Sequence, residues 1–374
     1  MPRLLLALLL SVVLTPLWAM SVVFINPGYA NEVYWYTASR AMQAAAEDLD
    51  VQLRIEYCDR NYRQAMDHIQ ALVALPQGQR PDYVILSNEF AAAGEMVALL
   101  EQAGIRSFLA FSGKGVGAAA VDLGRPRQKY RTWLGSLEPR AADAGYLTGQ
   151  ALIARARAAG VPRIAGKMPL LVIGGDRSTP TSVLRLQGLY RAVREAGDVV
   201  VAQEVMAAWS RERAAKQASW LYRRHPQARM VWAGSDQMAM GAMDVWRQRG
   251  GQPGKDAFFS GVNTSPEALQ RLTDGQLTTL AGGHFITGAW ALVMLYDYDR
   301  GRDFASEGLE QERPLFTRFD AALARRYLQR YSDADFSSID FTRHSKALNQ
   351  ALRRYDFSLL PLLPEAAAAG VSLK

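Results

Sequence analysis

The chain has 374 residues, 49% hydrophobic and 21% charged, enough to bury two cores and inconsistent with a disordered or fibrous protein. Its formal net charge of +7 is scattered, with no basic arm, so nucleic acid is not expected as a partner. The single cysteine, Cys58, excludes an intramolecular disulfide, and the anion Asp59 beside it argues against an activated thiolate.

Arg3 precedes an apolar run over 4–14, followed by Pro16 and Ala19. A basic flank, a run too short to span a bilayer and a small residue at a cut site predict a secretory leader over 1–19. The implied location is the periplasm of a Gram-negative bacterium.

Strands and helices then alternate. The pattern predicts a strand over 22–26, a polar turn from Pro27 to Glu32, and a helix over 34–49 with Ala38, Ala41, Met42, Ala45 and Leu49 on one face. A strand over 51–57, a helix over 62–75 and a strand over 82–87 follow. A helix over 90–103 stops at Gly104, and a strand covers 106–111. The run Gly113-Lys114-Gly115-Val116-Gly117 looks like a phosphate cradle, but no Lys-Ser/Thr pair opens a helix behind it, so it reads as a surface loop. Residues 132–136 read as an edge strand crossing to a second lobe.

The second half repeats the alternation. Helices are expected over 140–159, 179–196, 211–224 and 266–274, and strands over 169–174, 199–206, 229–233, 257–262 and 276–281. After the strand ending at Ala233, Ser235 suits a helix cap and Asp236 its positive first turn. A strongly apolar helix covers 284–300, and a basic helix over 321–331 opens a tail read as an extension packed on one lobe. Two runs of strand–helix units imply an α/β fold with two doubly wound parallel-sheet lobes. In such sheets ligands bind at the carboxyl ends of the strands.

Four pieces in order carry a resemblance. They are Val22 to Pro27 with Tyr34-Trp35; Thr181-Ser182-Val183-Leu184-Arg185-Leu186-Gln187-Gly188; Ser235-Asp236-Gln237-Met238-Ala239-Met240-Gly241; and Gly261-Val262-Asn263-Thr264-Ser265-Pro266-Glu267 with Asp274-Gly275-Gln276-Leu277. Together they resemble the type 1 periplasmic binding proteins, particularly the ribose and autoinducer-2 branch. Ser235 stands where that family usually has Asn, Asn263 where it usually has Asp, and Gly282-Gly283-His284 where it has a polar Gln region. The resemblance implies a multi-crossover hinge. The first lobe is expected over 20–135 plus 284–305, the second over 136–283 plus 306–320, and a helical C-terminal extension over 321–374.

The resemblance further implies a small polar, sugar-like or polyol ligand held between the lobes. Such a solute needs aromatic walls and a ring of fixed polar groups. Trp35 and Trp209 are the candidate walls, and Trp232, inside a strand, is read as core. Arg185 offers a planar fork of donors, and Asn263 both donates and accepts. Asp236, Ser235, Asn88, Glu89, Asn26, Tyr34 and His284 complete the expected contacts. The membrane partner is expected to be an ABC importer's permease or, alternatively, a sensor such as a kinase, cyclase or chemoreceptor, with the binding protein a monomer. No nucleophile elbow, zinc motif, Walker pattern or dinucleotide fingerprint is present, and the four His are isolated, so neither catalysis, a cofactor nor a metal is expected. A sugar-responsive repressor core would share the fold, but no DNA-reading helix pair precedes it.

Overall fold

The computed structural model describes residues 19–116 and 120–363. The expected leader, apart from Ala19, lies outside the described residues. No described helix is long and apolar enough to cross a membrane.

The chain opens with β1 (Ser21–Asn26), α1 (Val33–Asp48), β2 (Gln52–Tyr57), α2 (Tyr62–Ala74), β3 (Tyr83–Leu86), α3 (Ala93–Gln102), β4 (Arg106–Ala110) and β5 (Trp133–Pro139). It passes to a second lobe through α4 (Ala141–Ala158), β6 (Met168–Gly174), α5 (Pro180–Ala196), β7 (Val199–Met206), α6 (Arg211–Arg224), β8 (Met230–Ala233), α7 (Asp236–Gln248), β9 (Phe258–Val262), α8 (Pro266–Thr273) and β10 (Thr279–Gly282). A short 3-10 turn over His284–Ile286 leads into α9 (Thr287–Asp299), then β11 (Glu310–Arg313), β12 (Thr317–Phe319) and α10 (Ala321–Tyr331). The first sheet runs β11-β5-β4-β3-β1-β2, all parallel, and the second β12-β10-β9-β8-β6-β7, with only β12 antiparallel. Every residue of β3, β6 and β8 is buried, as continuous apolar strands covered on both faces by helices must be.

The elements differ from expectation in three places, each with a physical cause. β5 is not an edge: β11 pairs beyond it, with Gln311 opposite Leu137. The first crossover therefore follows Pro139 rather than residue 135, and β11 lies in the first sheet, whereas the sequence places 306–320 in the second lobe. Among the described residues up to β12 the chain passes between lobes three times, after Pro139, after Gly282 and after Arg313. α3 begins at Ala93, not 90, because Phe90 and Ala91 are left-handed at φ 57 and 55.

The extension departs further. Only α10 is an α-helix there among the described residues, and the segment touches both lobes rather than one. α10 lies against α8 of the second lobe, while Asp48 of α1 in the first lobe accepts from the Phe341 backbone N–H at 2.8 Å. The extension explains why α9 is apolar all round: residues Thr287 to Asp297 are all buried, with Trp290 stacked on Phe357 at 5.1 Å.

Candidate ligand-binding cleft

The carboxyl ends of the strands in both sheets face a shared cleft. Several turns there take a left-handed residue at once: Arg60 (φ 56) after β2, Phe111 (φ 69) after β4, Trp209 (φ 64) after β7 and Asn263 (φ 87) after β9. Such strained residues gather where a turn must aim a side chain. Across the cleft, Thr179 Oγ1 donates to Glu89 Oε2 at 3.0 Å, a buried bond that ties the lobes shut.

The closed lobes enclose a cavity of about 80 Å³, room for a small solute rather than a polymer. Nine of the eleven expected residues line it: Tyr34, Trp35, Glu89, Arg185, Trp209, Ser235, Asp236, Asn263 and His284. Asn26 and Asn88 do not. Asn26 donates to Ser39 Oγ at 3.0 Å and accepts from the Gly28 N–H at 2.9 Å, which shapes the turn after β1. Asn88 donates to the Gly113 carbonyl at 2.8 Å and accepts from the Ala93 N–H at 3.2 Å, which fixes the start of α3. An asparagine at a strand end gives the same signal in either role, because its amide serves backbone as readily as ligand.

The cavity also takes in residues the sequence did not single out, among them Glu32, Arg60, Phe111, Ser112, Thr179, Thr181 and Gln237. Arg60 grips Glu32 through two guanidinium nitrogens, Nε at 3.0 Å, and so closes one flank of the cleft. These two lie 28 residues apart on separate turns, and nothing in either local pattern pairs them.

Each aromatic wall rests on a glycine. A Cβ on Gly28 would lie 2.0 Å from the Trp35 ring, and one on Gly175 would lie 2.4 Å from the Trp209 ring. Trp35 also packs edge-on against Tyr34 at 4.9 Å and Phe111 at 5.2 Å. Trp232 is fully buried, and its Nε1 donates to Thr148 Oγ1 at 2.8 Å, the core role expected of it. Cys58 is likewise buried, and burial, with Asp59 adding to it, pushes its thiol up to about 12.

Arg185 comes from the second turn of α5. That helix approaches α4 closely, since a Cβ on Gly145 would meet the Arg185 carbonyl and one on Gly188 the Ala142 carbonyl. Its Nη1 donates to the Gly234 carbonyl at 2.7 Å, and no carboxylate among the described residues forms an ion pair with it. Burial draws its pKa down to about 10, so it stays charged at neutral pH. Asp236 spends its oxygens on neighbours: Oδ1 accepts from Gln237 N–H and Asn263 Nδ2, and Oδ2 from Ser265 N–H at 3.0 Å. Ser235 caps α7 by accepting from Met238 N–H at 3.3 Å. Asp236 and Asn263 thus lock together the turns after β8 and β9. Gly113 offers its N–H to Glu138 at 2.7 Å, so a carboxylate of the chain itself occupies part of the apparent phosphate cradle.

Four buried ring or guanidinium nitrogens of residues that line the cavity have no partner among the described residues: Trp35 Nε1, Trp209 Nε1, Arg185 Nε and His284 Nδ1. One comes from the first lobe, two from the second and one from the second crossover. An unpaired buried donor costs about 1–3 kcal/mol, a cost that an oxygen acceptor from a solute would relieve. No cluster of His, Cys, Asp or Glu among the described residues could hold a metal ion.

Comparison with known proteins agrees with this arrangement. The family model of the periplasmic binding protein domain matches residues 22–303. A periplasmic sugar-binding protein from Pseudomonas fluorescens is 36% identical, with a TM-score of 0.81, covering 92% of this chain and 99% of its own. A protein from Mycobacterium smegmatis solved with β-D-fucofuranose is 18% identical with a TM-score of 0.70, covering 83% of this chain and 95% of its own. The binding component of the arabinose ABC transporter of Shewanella sp. ANA-3, solved with α- and β-L-arabinofuranose, is 16% identical with a TM-score of 0.68, covering 85% and 98%. These last two show the fold alone. No curated protein matches the chain. Two parallel-sheet lobes, three crossovers and a solute-sized cleft, together with a family match over most of the chain, make this protein a member of the periplasmic binding protein family.

Proposed function

We propose that the protein captures a neutral monosaccharide between its lobes and delivers it to an ABC importer. The observation that carries this reading is that Trp35, Trp209 and Arg185 line one cavity and each holds a buried N–H without a partner among the described residues. A sugar supplies ring and hydroxyl oxygens to such donors and C–H faces to the two indoles. The relative from Pseudomonas fluorescens, 36% identical and described as a periplasmic sugar-binding protein, supports the solute class.

A tail beyond residue 320 does not by itself favour a sensor partner. It does not set this chain apart, because the sugar-binding relative covers 92% of the chain, more than residues 1–320 alone can supply.

Thermal shift and calorimetry against L-arabinose, D-galactose, D-fucose, D-allose and D-ribose test the reading. A bound sugar raises the melting temperature by mass action. Arg185→Ala should weaken the tightest of these roughly tenfold to a hundredfold. Binding of amino acids or sugar acids in place of every neutral sugar would reject the proposal.

A further inference from the structure

The partners of Arg185 are unusual for a buried cation. Its guanidinium carbon lies 5.5 Å from the centre of the Trp209 ring and 5.7 Å from that of Phe316. Its Nη1 meets a carbonyl, and its Nη2 lies 3.0 Å from His284 Nε2. A guanidinium has only donors, so the imidazole nitrogen facing it must be the acceptor. His284 then carries its proton on Nδ1 and is neutral.

His284 is itself held on both sides. Its ring stacks on Tyr34 of α1 at 4.9 Å and lies 4.3 Å from Phe316 at the third crossover. It is 2% exposed and sits in the second crossover, directly after Gly283, whose φ of 101 a residue with a side chain rarely adopts. The ring therefore cannot turn without displacing parts of both lobes. A carboxylate at this place would also hold Arg185, but it would quench the charge and compete with a solute for the N–H groups. A neutral acceptor orients the fork and leaves Nε–H free.

We infer that His284 is a positioning residue, a neutral acceptor fixed in the hinge that aims Arg185 Nε–H into the cleft. This rests on the reading of the cleft as the solute site, and the test separates the two.

The first measurement needs no sugar. Long-range ¹H–¹⁵N NMR of the full-length protein at pH 7 should show His284, assigned by its loss in His284→Gln, as the neutral Nδ1–H tautomer. A proton on Nε2, or a charged ring, overturns the inference whatever the cleft binds. The second uses L-arabinose and the other aldoses of the panel with two variants. His284→Phe keeps a ring between Tyr34 and Phe316 and removes the acceptor. His284→Gln offers its amide oxygen near the position of Nε2. The aldose that binds wild type most tightly should bind His284→Phe at least roughly tenfold more weakly, and His284→Gln within about threefold of wild type. Wild-type affinity in His284→Phe, or equal losses in both variants with unchanged melting temperatures, overturns the inference and leaves the sugar reading standing. Absence of binding by wild type, with the Nδ1–H tautomer present, rejects the sugar reading and leaves the positioning of Arg185 intact.

Discussion

Glu89 lies wholly inside the closed cleft, and burial pushes its carboxyl up to about 7, against the pull of Arg60 and the Thr179 hydrogen bond. A carboxyl raised this far above its unfolded value near 4.5 binds a proton in the folded protein that the open chain lacks. The stability it contributes is therefore full below about 4.5 and is lost as pH rises through about 7. His284 works in the opposite sense: burial and Arg185 hold it well below 6.5, so its contribution is lost as pH falls below that value. Between pH 8 and 6.5 Glu89 acts without that opposition. Taking the protein from pH 8 to 6.5 should favour the closed, folded form by about 1 kcal/mol through this group. The melting temperature of Glu89→Gln, subtracted from that of wild type across this range, should fall as pH rises. A flat difference would mean that Glu89 titrates as an ordinary carboxylate. At this scale the site was legible wherever a residue's chemistry suited only a solute. Trp209 and Arg185 at strand or helix ends have no local use for their N–H groups. Asn26 and Asn88 carry an amide that the neighbouring backbone satisfies, and their sequence context does not distinguish the two roles.

The placement of Arg185 depends on how closely two helices can approach. Gly188 of α5 sits against the Ala142 carbonyl of α4, where an added Cβ would stand 1.9 Å from the oxygen. Backbone cannot yield as a side-chain tip does, so Gly188→Ala must push α5 outward. Overpacking of this kind costs about 1–3 kcal/mol. Because Arg185 is one turn away, the same shift should weaken sugar binding as well. Gly78→Ala, where nothing lies within 4 Å of the new Cβ, should leave both stability and binding within error of wild type. Equal behaviour of the two variants in denaturant titration would argue against a close α4–α5 contact. The helices themselves were readable from their apolar period and caps, as with Ser210 accepting from Arg213 N–H before α6. β11 and β12 were not. Glu310-Gln311-Glu312-Arg313 has no β-branched or aromatic residue, and β12 is only three residues long. Both exist because a neighbouring edge offers backbone partners, a property of the assembled sheet rather than of the segment.

Across the whole molecule, the extension works as a fourth tie between lobes that three crossovers already join. On the second lobe α10 packs on α8, and Tyr327 meets Phe319 at 5.7 Å. Phe336 then stacks on Phe285, beside the second crossover, at 5.0 Å. On the first lobe, buried Asp297 of α9 accepts from Ser345 hydroxyl, from the N–H groups of Lys346 at 2.7 Å and Ala347 at 3.0 Å, and from Tyr355 hydroxyl at 2.9 Å. The chain then returns over the hinge: Leu359 covers Gly283, and the Leu362 carbonyl accepts from Tyr331 hydroxyl at 2.7 Å. The apolar clusters of this tail were visible in the sequence, but the polar anchor that decides its path was not, because Asp297 and Ser345 lie 48 residues apart. A hinge opening that separates α8 from α9 must stretch this strap or release it at Asp297. Asp297→Asn sets an amide NH₂ against a ring of donors and should cost about 2–3 kcal/mol. The loss should be local first. Hydrogen exchange should quicken over 341–357 before it quickens in the sheets, and small-angle scattering without sugar should show a larger radius of gyration than wild type as the lobes open further. Faster exchange over 341–357 with an unchanged radius would mean that the three crossovers alone set the range of motion and that the strap only covers α9.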